Sequence, residues 1–586
     1  MKILIRKSGK GSNVYIIKSY RSKGKSTSQI VEKLGKLEDL NKIHGNGMEY
    51  VLSRRKELER LDRHFEDGHK KHHFTIDEEK DLDPRNLRLG GFLPLRKIFR
   101  KLELHEFCRD IQDKKKIDFS LEKVLETLVY GRILLPCSKL STHEIAKSFI
   151  DDPHLELQHY YRGMDILHEY IDKIQSYCYK NLGKIINKDK SIWYYDCTNF
   201  FFETEQTEEG SLRQYGFSKE HRPNPIVQFG LFTDAKGMPL AFTVNPGNTN
   251  EQITLKPLEE KIIKDFGIEK MIVSTDAGLA SYNNRAFNDR QGRAFVATQS
   301  IKKLKDHLRD WVFEDKGWKK LNSNDKRSSF KPSLIDDELD GTVLYKSCFM
   351  KEDMIVENAY GEKIKVEQGW KLIVTYSKDY AKYQKTIRNE QWNRAQQLIK
   401  NPSKFNKVNS NDCRRFVKGI SFTENGEIAR TSKLTLDESL LEEEAKYDGY
   451  YGLTTNIEDS TEEVIAINHN RWKIEQCFRI MKTDFSARPI YHYKNERIET
   501  HLLICFLALL IYRLLERKLE GKYSSNKILE TLRCMNFLQL KEGYIPVFDN
   551  NEVTKDIAEV FDYKYIERGC FTNETARHLI NLSKRY

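Results

Sequence analysis

Three carboxylates and two cations in this sequence could support phosphoryl-transfer chemistry. Asp196 and Asp276 each end an apolar, β-prone run, which predicts two buried strands with a carboxylate at the exit. Glu475 lies between Arg471 and Lys482 on a predicted helix. Two strand-end aspartates and a helical glutamate can converge on a pair of divalent cations, which require hard oxygen ligands for phosphoryl transfer.

The stretch 468–485, which carries Glu475, has the pattern of an amphipathic helix. At about 100° per residue, its large apolar side chains fall on one face, and Arg471, Glu475 and Lys482 fall on an adjacent face. The apolar face consists of Ile474, Phe478, Met481 and Phe485. An ordinary surface helix, stabilised by the Arg471–Glu475 pair at i,i+4 spacing, is the alternative interpretation. The two strand-end aspartates upstream favour the catalytic interpretation.

With these residues the sequence resembles the DDE transposases of bacterial insertion sequences, in the RNase H-like class. It is similar to the IS-four superfamily branch, whose signature is Tyr-x2-Arg-x3-Glu-x6-Lys. Arg471, Glu475 and Lys482 match that spacing, and Asn468 stands where the Tyr is expected. The resemblance covers roughly residues 80–515. It continues through the runs Gly247–Glu251, Arg488–Ile490 and His501–Leu503.

The resemblance implies a cut-and-paste DNA transposase. Asp196, Asp276 and Glu475 would hold two Mg²⁺ ions, for which Mn²⁺ could substitute, and Arg471 and Lys482 would contact phosphates near the cut. The implied partners are double-stranded DNA, as the terminal inverted repeats and the target, and a second copy of the chain in a homodimeric synaptic complex. Hairpin formation at the cut end is known in this branch.

Two further motifs carry candidate DNA-binding residues. Lys219 and Arg222 lie in a loop, 216–222, that resembles the Gly-x-Ser-Lys-x-x-Arg loop of the family, and a solvated loop is the alternative. Lys139 follows Pro136 in a turn that resembles the Pro-x-Ser-Lys turn, for which a plain helix entry is the alternative.

Other functions fit parts of the pattern. A nuclease of the RNase H-like class without strand transfer would have the same active site, so only a joining assay separates the two. A catalytically silent, transposase-derived DNA-binding regulator is disfavoured because all three carboxylates are present. A paired-carboxylate glycosidase is disfavoured by the basic N-terminal arm and by the cations beside Glu475.

The predicted fold is α/β, with an RNase H-like mixed-sheet core interrupted by a β-rich insertion and preceded by a helical domain. Three strands followed by helix, strand, helix and strand are the order expected of that core. The predicted core strands are Trp193–Thr198, Ile226–Thr233, Pro239–Val244, Lys270–Thr275 and Ala294–Thr298, with a helix at about 251–266. The 199 positions from Asp276 to Glu475 exceed what an uninterrupted core needs, so an insertion is expected.

The segmentation of the chain follows from these patterns. The predicted units are a basic arm and charged linker (1–73), a helical domain for DNA binding or dimerisation (74–190), the first part of the core (191–300), the β-rich insertion (301–455), the second part of the core (456–520) and a C-terminal region without an assigned role (521–586). In the insertion, the predicted strands are Gly341–Met350, Met354–Val356, Lys363–Val366, Trp370–Tyr376 and Phe416–Phe422, and the predicted helix is 379–400.

Charge is concentrated at the start of the chain. The 586 residues carry a formal charge of +12, and residues 1–36 alone contain ten basic residues and one acid. A small hairpin rich in Lys, Arg and Tyr is predicted there, which would suit a phosphate backbone; a sheet edge guarded by Lys is the alternative. Three close histidines, His69, His72 and His73, could bind a metal, but no carboxylate or Cys belongs to the cluster, so a solvated linker is the favoured interpretation.

Cysteine usage and hydropathy indicate an intracellular protein without a membrane partner, and the resemblance implies that it is cytoplasmic in a bacterium. The ten Cys residues contain no CxxC pair, so neither a zinc ribbon nor a disulfide scaffold is expected. The longest apolar run, 502–512, is too short to span a bilayer, and no signal-peptide pattern opens the sequence.

Overall fold

The structure is a computed structural model of the chain. It describes residues 2–8, 11–22, 25–68, 82–187, 192–220, 222–268, 271–289, 292–323, 330–334, 341–357, 363–400, 413, 415–418, 435–458, 460–563 and 569–585. The histidine cluster His69, His72 and His73 lies outside the described residues, as does most of the predicted strand Phe416–Phe422.

The described elements are as follows. The strands are β1 (Lys2–Ser8), β2 (Gly11–Ser22), β3 (Lys25–Lys36), β4 (Leu87–Leu89), β5 (Ile192–Phe201), β6 (Ile226–Asp234), β7 (Pro239–Pro246), β8 (Ile272–Thr275), β9 (Ala294–Gln299), β10 (Lys319–Lys320), β11 (Val343–Glu357), β12 (Lys363–Ser377), β13 (Val417–Lys418), β14 (Thr435–Leu436), β15 (Tyr450–Thr455), β16 (Asn536–Gln539), β17 (Gly543–Pro546) and β18 (Phe571–Thr572). The helices are α1 (Leu37–His44), α2 (Gly47–Gly68), α3 (Leu93–Lys101), α4 (Leu104–Lys115), α5 (Leu121–Leu134), α6 (Lys139–Ala146), α7 (Leu157–His168), α8 (Ile171–Ile185), α9 (Leu255–Phe266), α10 (Tyr282–Phe287), α11 (Asp306–Phe313), α12 (Lys378–Lys400), α13 (Glu438–Ala445), α14 (Thr461–His469), α15 (Trp472–Arg479), α16 (Asn495–Lys518), α17 (Ser525–Cys534), α18 (Glu552–Phe561) and α19 (Asn573–Ser583).

The chain divides into two compact units. The first contains Met1–Asn86, Leu538–Pro546 and Lys564–Arg577, and the second contains Leu87–Phe537, Val547–Tyr563 and His578–Tyr586. In the first unit, β1, β2 and β3 form an antiparallel sheet. The predicted hairpin is therefore corrected to three strands. Both β1 with β2 and β2 with β3 pair antiparallel, so the chain reverses twice and not once as in a hairpin.

A small core covers the N-terminal sheet. Val14 on β2 packs with Leu40 on α1 and Val51 on α2, and all three are buried. Ile3 and Tyr50 pack against the same cluster. The arm is therefore a folded sheet with helices on it, and any change there must spare these apolar residues.

The second unit is built on a nine-stranded mixed sheet. Its order is β10-β11-β12-β15-β9-β8-β5-β6-β7. Strands β5, β8 and β9 run parallel to one another, and the other pairings are antiparallel. The five predicted core strands are confirmed as β5 to β9, with ends that differ by a few residues. The predicted helix after β7 is a short 3₁₀ turn, Glu251–Ile253, followed by α9.

The strands between 341 and 376 are longer than the sequence pattern predicts. The pattern predicts four short strands, and the structure has two strands, β11 and β12, paired along their whole length. The predicted gap between Val366 and Trp370 is absent, and Gly369 lies within β12 opposite Lys351. Strand β12 pairs with β15, and β15 pairs with β9, so these strands extend the same sheet that contains β5 and β8. The predicted helix at 379–400 is confirmed as α12.

Helices pack against this sheet. Helices α3 to α8 precede β5, as the period of the apolar residues predicted. In α16, the ring centroid of Phe506 lies 5.0 Å from that of Phe242 on β7. Among the described residues, α16 is the one helix long and apolar enough to cross a membrane by length and composition, and 94% of its most apolar window is buried inside the protein.

Candidate active site

The two strand-end aspartates are brought side by side by the parallel pairing of β5 with β8. Tyr194 is in register with Ser274, so two residues further along each strand the chain reaches Asp196 and Asp276. Asp196 lies within β5 and is only 9% exposed. Asp276 directly follows β8 and is half-buried. The sheet thus places both carboxylates at neighbouring positions.

Burial and a neighbouring negative charge destabilise the ionised form of Asp196. Burial raises the pKa of Asp196 to about 6, and Asp276 adds to the rise, whereas the charges of Lys219 and Arg471 oppose it. The backbone N–H of Cys197 donates a hydrogen bond to Asp196 Oδ1 at 2.8 Å. Asp276 Oδ1 accepts one from the Leu279 N–H at 2.9 Å, which holds that carboxylate at the strand exit.

Lys219 lies beside Asp196 but hydrogen-bonds elsewhere. Its Nζ donates to the carbonyl oxygen of Cys197 at 2.6 Å and pairs with Glu251 at 3.1 Å. Sequence reasoning missed Glu251 as a partner, although it ends the run Gly247–Glu251 that the resemblance includes. Nothing in the local pattern connects that run to the loop of Lys219.

Lys482, in the helical stretch that also carries Glu475, lies close enough to Asp196 to interact with its charge. Its Nζ donates to Glu220 Oε1 at 3.0 Å, and burial lowers the pKa of Lys482 to about 8, with the charge of Lys219 contributing. Glu220 also pairs with Arg222 at 3.7 Å and with Arg488. Glu220 is therefore a shared acceptor for three cations, which sequence reasoning missed because a loop carboxylate has no periodic signal.

The helix that carries Glu475 departs from the predicted continuous helix. Residues 470 and 471 form a turn between α14 and α15, where N–H groups bond three residues back, as Arg471 N does to the Asn468 carbonyl at 3.1 Å. A π-helical turn, Ile480–Asp484, follows α15. Such turns insert an extra residue into the helical register and are frequent at functional sites. The four predicted apolar residues of this stretch are buried as expected.

Arg471 contacts the core sheet, whereas Glu475 is exposed. Arg471 Nη1 donates to Thr298 Oγ1 at 3.2 Å, and the charge of the Arg471 guanidinium group lowers the pKa of Asp196. Glu475 lines an open cleft of about 590 Å³ together with Trp472 and Asn468. Asn468 Oδ1, at the position of the motif Tyr, is buried there without a hydrogen-bond partner among the described residues.

The predicted site residues are thus only partly assembled. Lys219, Arg471 and Lys482 all act on Asp196, and Asp276 is its neighbour. Lys139 lies apart, buried at the start of α6. Within the described part of the chain, no group of three or more His, Cys, Asp or Glu side chains is arranged to hold a metal ion. A further acid, Asp448, pairs with Arg388 in the turn before β15, where Gly449 has a positive φ.

Two of the three predicted ligands suit a divalent cation. Carboxylate oxygens are the donors that Mg²⁺ prefers, and a cation between Asp196 and Asp276 would relieve the repulsion and desolvation that raise the pKa of Asp196. Glu475 could join them only if its side chain or α15 moved from its position in the structure.

The comparisons with known proteins identify the family. The model of the transposase DDE domain matches residues 200–511, which is more than half of the chain. The chain belongs to this family. It is a transposase, a metal-dependent polynucleotidyl transferase. The match includes Asp276 and Glu475 and begins just after Asp196, within β5.

Other comparisons give less. No curated protein matches the transposase. A cryo-EM structure described as a piggyBac transposase synaptic complex with hairpin DNA matches 85% of this chain and 86% of that chain, with a TM-score of 0.35 and 8% sequence identity.

Proposed function

We propose that this transposase cuts the ends of an insertion sequence and inserts the element into target DNA by a cut-and-paste route. The observation that carries the proposal is the adjacent placement of Asp196 and Asp276 on parallel strands, inside or beside the matched family domain. Phosphoryl transfer needs hard, negatively charged oxygen ligands at one point, and these two residues provide them.

We further propose that the second unit has the domain architecture of the IS-four branch. The sheet around β5, β8 and β9 is an RNase H-like core, and the segment 301–455 is its β-rich insertion, as in the IS-four branch of bacterial elements. The segment boundaries predicted from the sequence, a homodimeric synaptic complex and a cytoplasmic location in a bacterium belong to the same proposal.

In this mechanism each residue has a distinct role. Asp196 and Asp276 hold the divalent cations, two Mg²⁺ or Mn²⁺, with Glu475 completing the set when DNA is bound. Bound there, the metal supplies Lewis acidity toward the oxygens of the scissile phosphodiester. Arg471, Lys219 and Lys482, which already lie around Asp196, bind and orient the phosphates flanking the cut.

Displacing the acidic partners of the lysines is part of DNA binding in this proposal. Lys219 pairs with Glu251, and Lys482 pairs with Glu220. An incoming phosphate competes with these carboxylates for the ammonium groups. The exposed basic residues of β1 to β3, such as Lys2, Arg6 and Lys33, contribute to binding of duplex DNA.

The test is cleavage of linear DNA that carries the ends of the element, with Mg²⁺ and with EDTA. Cuts at the element ends and joining of the freed ends to a second plasmid are expected only with Mg²⁺. Cuts without joining would favour the nuclease alternative. Binding to the ends with neither cutting nor joining would contradict the proposal and leave a DNA-binding regulator.

The contribution of the arm is measured separately by salt titration. Replacing Lys2, Arg6 and Lys33 by Gln spares the buried residues Val14 and Leu40. The slope of log affinity against log salt should fall by about 0.9 for each DNA phosphate that the variant no longer neutralises. An unchanged slope would mean that these residues only guard a sheet edge.

A further inference from the structure

A second buried group of cations lies away from Asp196, in a cavity of about 420 Å³. We call it the Lys139 cavity. The residues that define it are Arg132, Lys139, Tyr161, Arg488, His492 and His501. No Asp or Glu is among the described residues that line it. A cavity lined by several cations and no carboxylate is electrostatically incomplete, because buried charges are normally paired.

Lys139 is the residue most affected by this imbalance. It is the first residue of α6, and only 4% of it is exposed. Within the described part of the chain it has neither a hydrogen-bond nor an ion-pair partner. Burial lowers the pKa of Lys139 to about 7, and the charge of Arg132 adds to the effect. The ammonium group is thus held in the cavity at a cost in free energy that the described residues do not offset.

The two arginines of the cavity are also incompletely satisfied. Arg132 donates to the carbonyl oxygens of Phe485 and Ser486 at 3.1 and 3.2 Å, but its Nε is buried without a partner among the described residues. Arg488 pairs with Glu220 through Nη1, and its Nε is likewise unpartnered in that part of the chain. Two buried N–H donors therefore remain for an acceptor that comes from elsewhere.

The histidines of the cavity are held neutral. Burial lowers the pKa of His492 to about 3, with contributions from Lys139, Arg497 and Arg132, and the charge of Asp165 opposes them. Burial, Arg132 and Lys139 lower the pKa of His501 as well. The positive charge in the cavity therefore resides on the two arginines and, below about pH 7, also on Lys139.

We propose that the Lys139 cavity binds one phosphate group, with the ammonium of Lys139 and the guanidinium groups of Arg132 and Arg488 as its ligands. Phosphate oxygens accept several charge-assisted hydrogen bonds at once, which matches an ammonium together with two guanidinium groups. The bound anion also supplies the negative charge that the lining lacks.

The cavity is connected to the strand-end aspartates through one acidic residue. Glu220 accepts from Lys482 at 3.0 Å and pairs with Arg488, so the two cation groups share a carboxylate. A nucleic-acid strand bound at Asp196 is one source of such a phosphate. A phosphate of DNA as the ligand rests on the proposed function, whereas phosphate binding itself does not.

The first arm of the test uses inorganic phosphate and thermal unfolding of the full chain at constant ionic strength. Wild-type protein should show a saturable rise in Tm, and Lys139→Met should raise Tm in buffer alone but lose the response. Lys147→Met is the matched control, because Lys147 caps the same helix but pairs with Glu144 on the surface. Lys139→Gln is a second variant should Lys139→Met fail to fold.

The second arm uses a duplex oligonucleotide and the salt dependence of its binding. If the ligand is a DNA phosphate, Lys139→Met should lower the salt slope by about 0.9. A loss confined to the inorganic phosphate arm identifies a small phosphate compound as the ligand instead. Equal behaviour of wild type, Lys139→Met and Lys147→Met in both arms would overturn the proposal. Failure to cleave element ends would leave the thermal response to inorganic phosphate unaffected. A failure of the proposed function is therefore distinguishable from a failure of the phosphate-binding proposal.

Discussion

Two buried clusters of charge in the second unit differ in how they are neutralised. The helical cluster consists of Arg96, Arg100, Glu122, Glu126 and Asp151. The strand-end cluster consists of Asp196, Asp276, Lys219, Arg471 and Lys482. Both contain carboxylates of low exposure and nearby cations, so composition alone does not distinguish them.

In the helical cluster every carboxylate has an arginine. Arg96 pairs with Asp151 at 2.6 Å and with Glu126 at 3.4 Å, and Arg100 pairs with Glu122. These pairs join helices α3 and α5 and the loop that follows α6, and Arg109 and Lys584 add further pairs to Glu122 and Asp151. The cluster therefore needs no ligand, and its role is to hold the helices together.

In the strand-end cluster the aspartates remain without ion pairs among the described residues. Lys219 is bonded to Glu251 and Lys482 to Glu220, and Asp196 receives only the backbone N–H of Cys197. Buried charge that the protein leaves uncompensated is the common signature of a binding or catalytic site. The presence or absence of ion pairs on the carboxylates therefore distinguishes the structural cluster from the functional one.

The largest expected effect comes from removing a strand-end carboxylate. Asp276→Ala should lower cleavage of element ends by more than about 100-fold, the loss typical of disturbing even the outer shell of a metal site, while binding to those ends is kept. Cleavage and gel shifts on the same DNA measure the two effects.

The control for this variant is Asp310→Ala, which removes an exposed carboxylate from α11. Circular dichroism must show that Asp276→Ala is folded, since the carboxylate also accepts the Leu279 N–H. If cleavage and binding fall together in a folded Asp276→Ala protein, Asp276 has no specific part in metal binding.

Much of this comparison follows from the sequence, because local patterns determine local structure. The apolar runs before Asp196 and Asp276 predicted two buried strands, and parallel strands place such residues at one edge of a sheet. The pairing of β12 with β15 could not be predicted, since no local pattern records which distant strand lies alongside. The π-helical turn after α15 was missed because the apolar spacing from Ile474 to Phe485 fits a continuous helix equally well.

The partners of the site cations were also beyond local reasoning. Glu220 lies in a loop and Glu251 begins a short 3₁₀ turn, where charge has no periodicity, and they meet Lys482 and Lys219 only through the fold. The same holds for the Lys139 cavity, whose residues come from three separate parts of the sequence. A buried cation that lacks a partner can be recognised only when its neighbours in the folded chain are known.

The helical cluster should respond in the opposite way to the strand-end cluster. Arg96→Met should lower the free energy of unfolding by about 3 kcal/mol, because it leaves Glu126 buried with only Arg100 nearby. Cleavage per folded molecule should not change. Urea unfolding measures the free energy of unfolding, and a cleavage assay normalised to folded protein measures the activity. Lys123→Met, an exposed position on the same helix as Glu126, is the surface control. A loss of specific activity at unchanged stability would remove the distinction between the clusters.

A third buried carboxylate tests the comparison at its weakest point. Glu259 on α9 is fully buried and accepts hydrogen bonds from Asn288 Nδ2 at 2.9 and 3.1 Å, with no ion pair among the described residues. Burial raises the pKa of Glu259 from 4.5 to about 8. Because the folded state then holds a proton that the unfolded state has lost, stability should fall as pH rises between these two values, by about 1.4 kcal/mol for each pH unit.

Glu259→Gln should remove this slope, and Glu260→Gln, an exposed neighbour, should keep it. Urea midpoints at pH 5.5 and 8 measure the difference. An unchanged pH dependence in Glu259→Gln would show that a buried carboxylate can stay ionised here with an amide as its partner, and the missing ion pairs at Asp196 and Asp276 would then no longer mark them as functional.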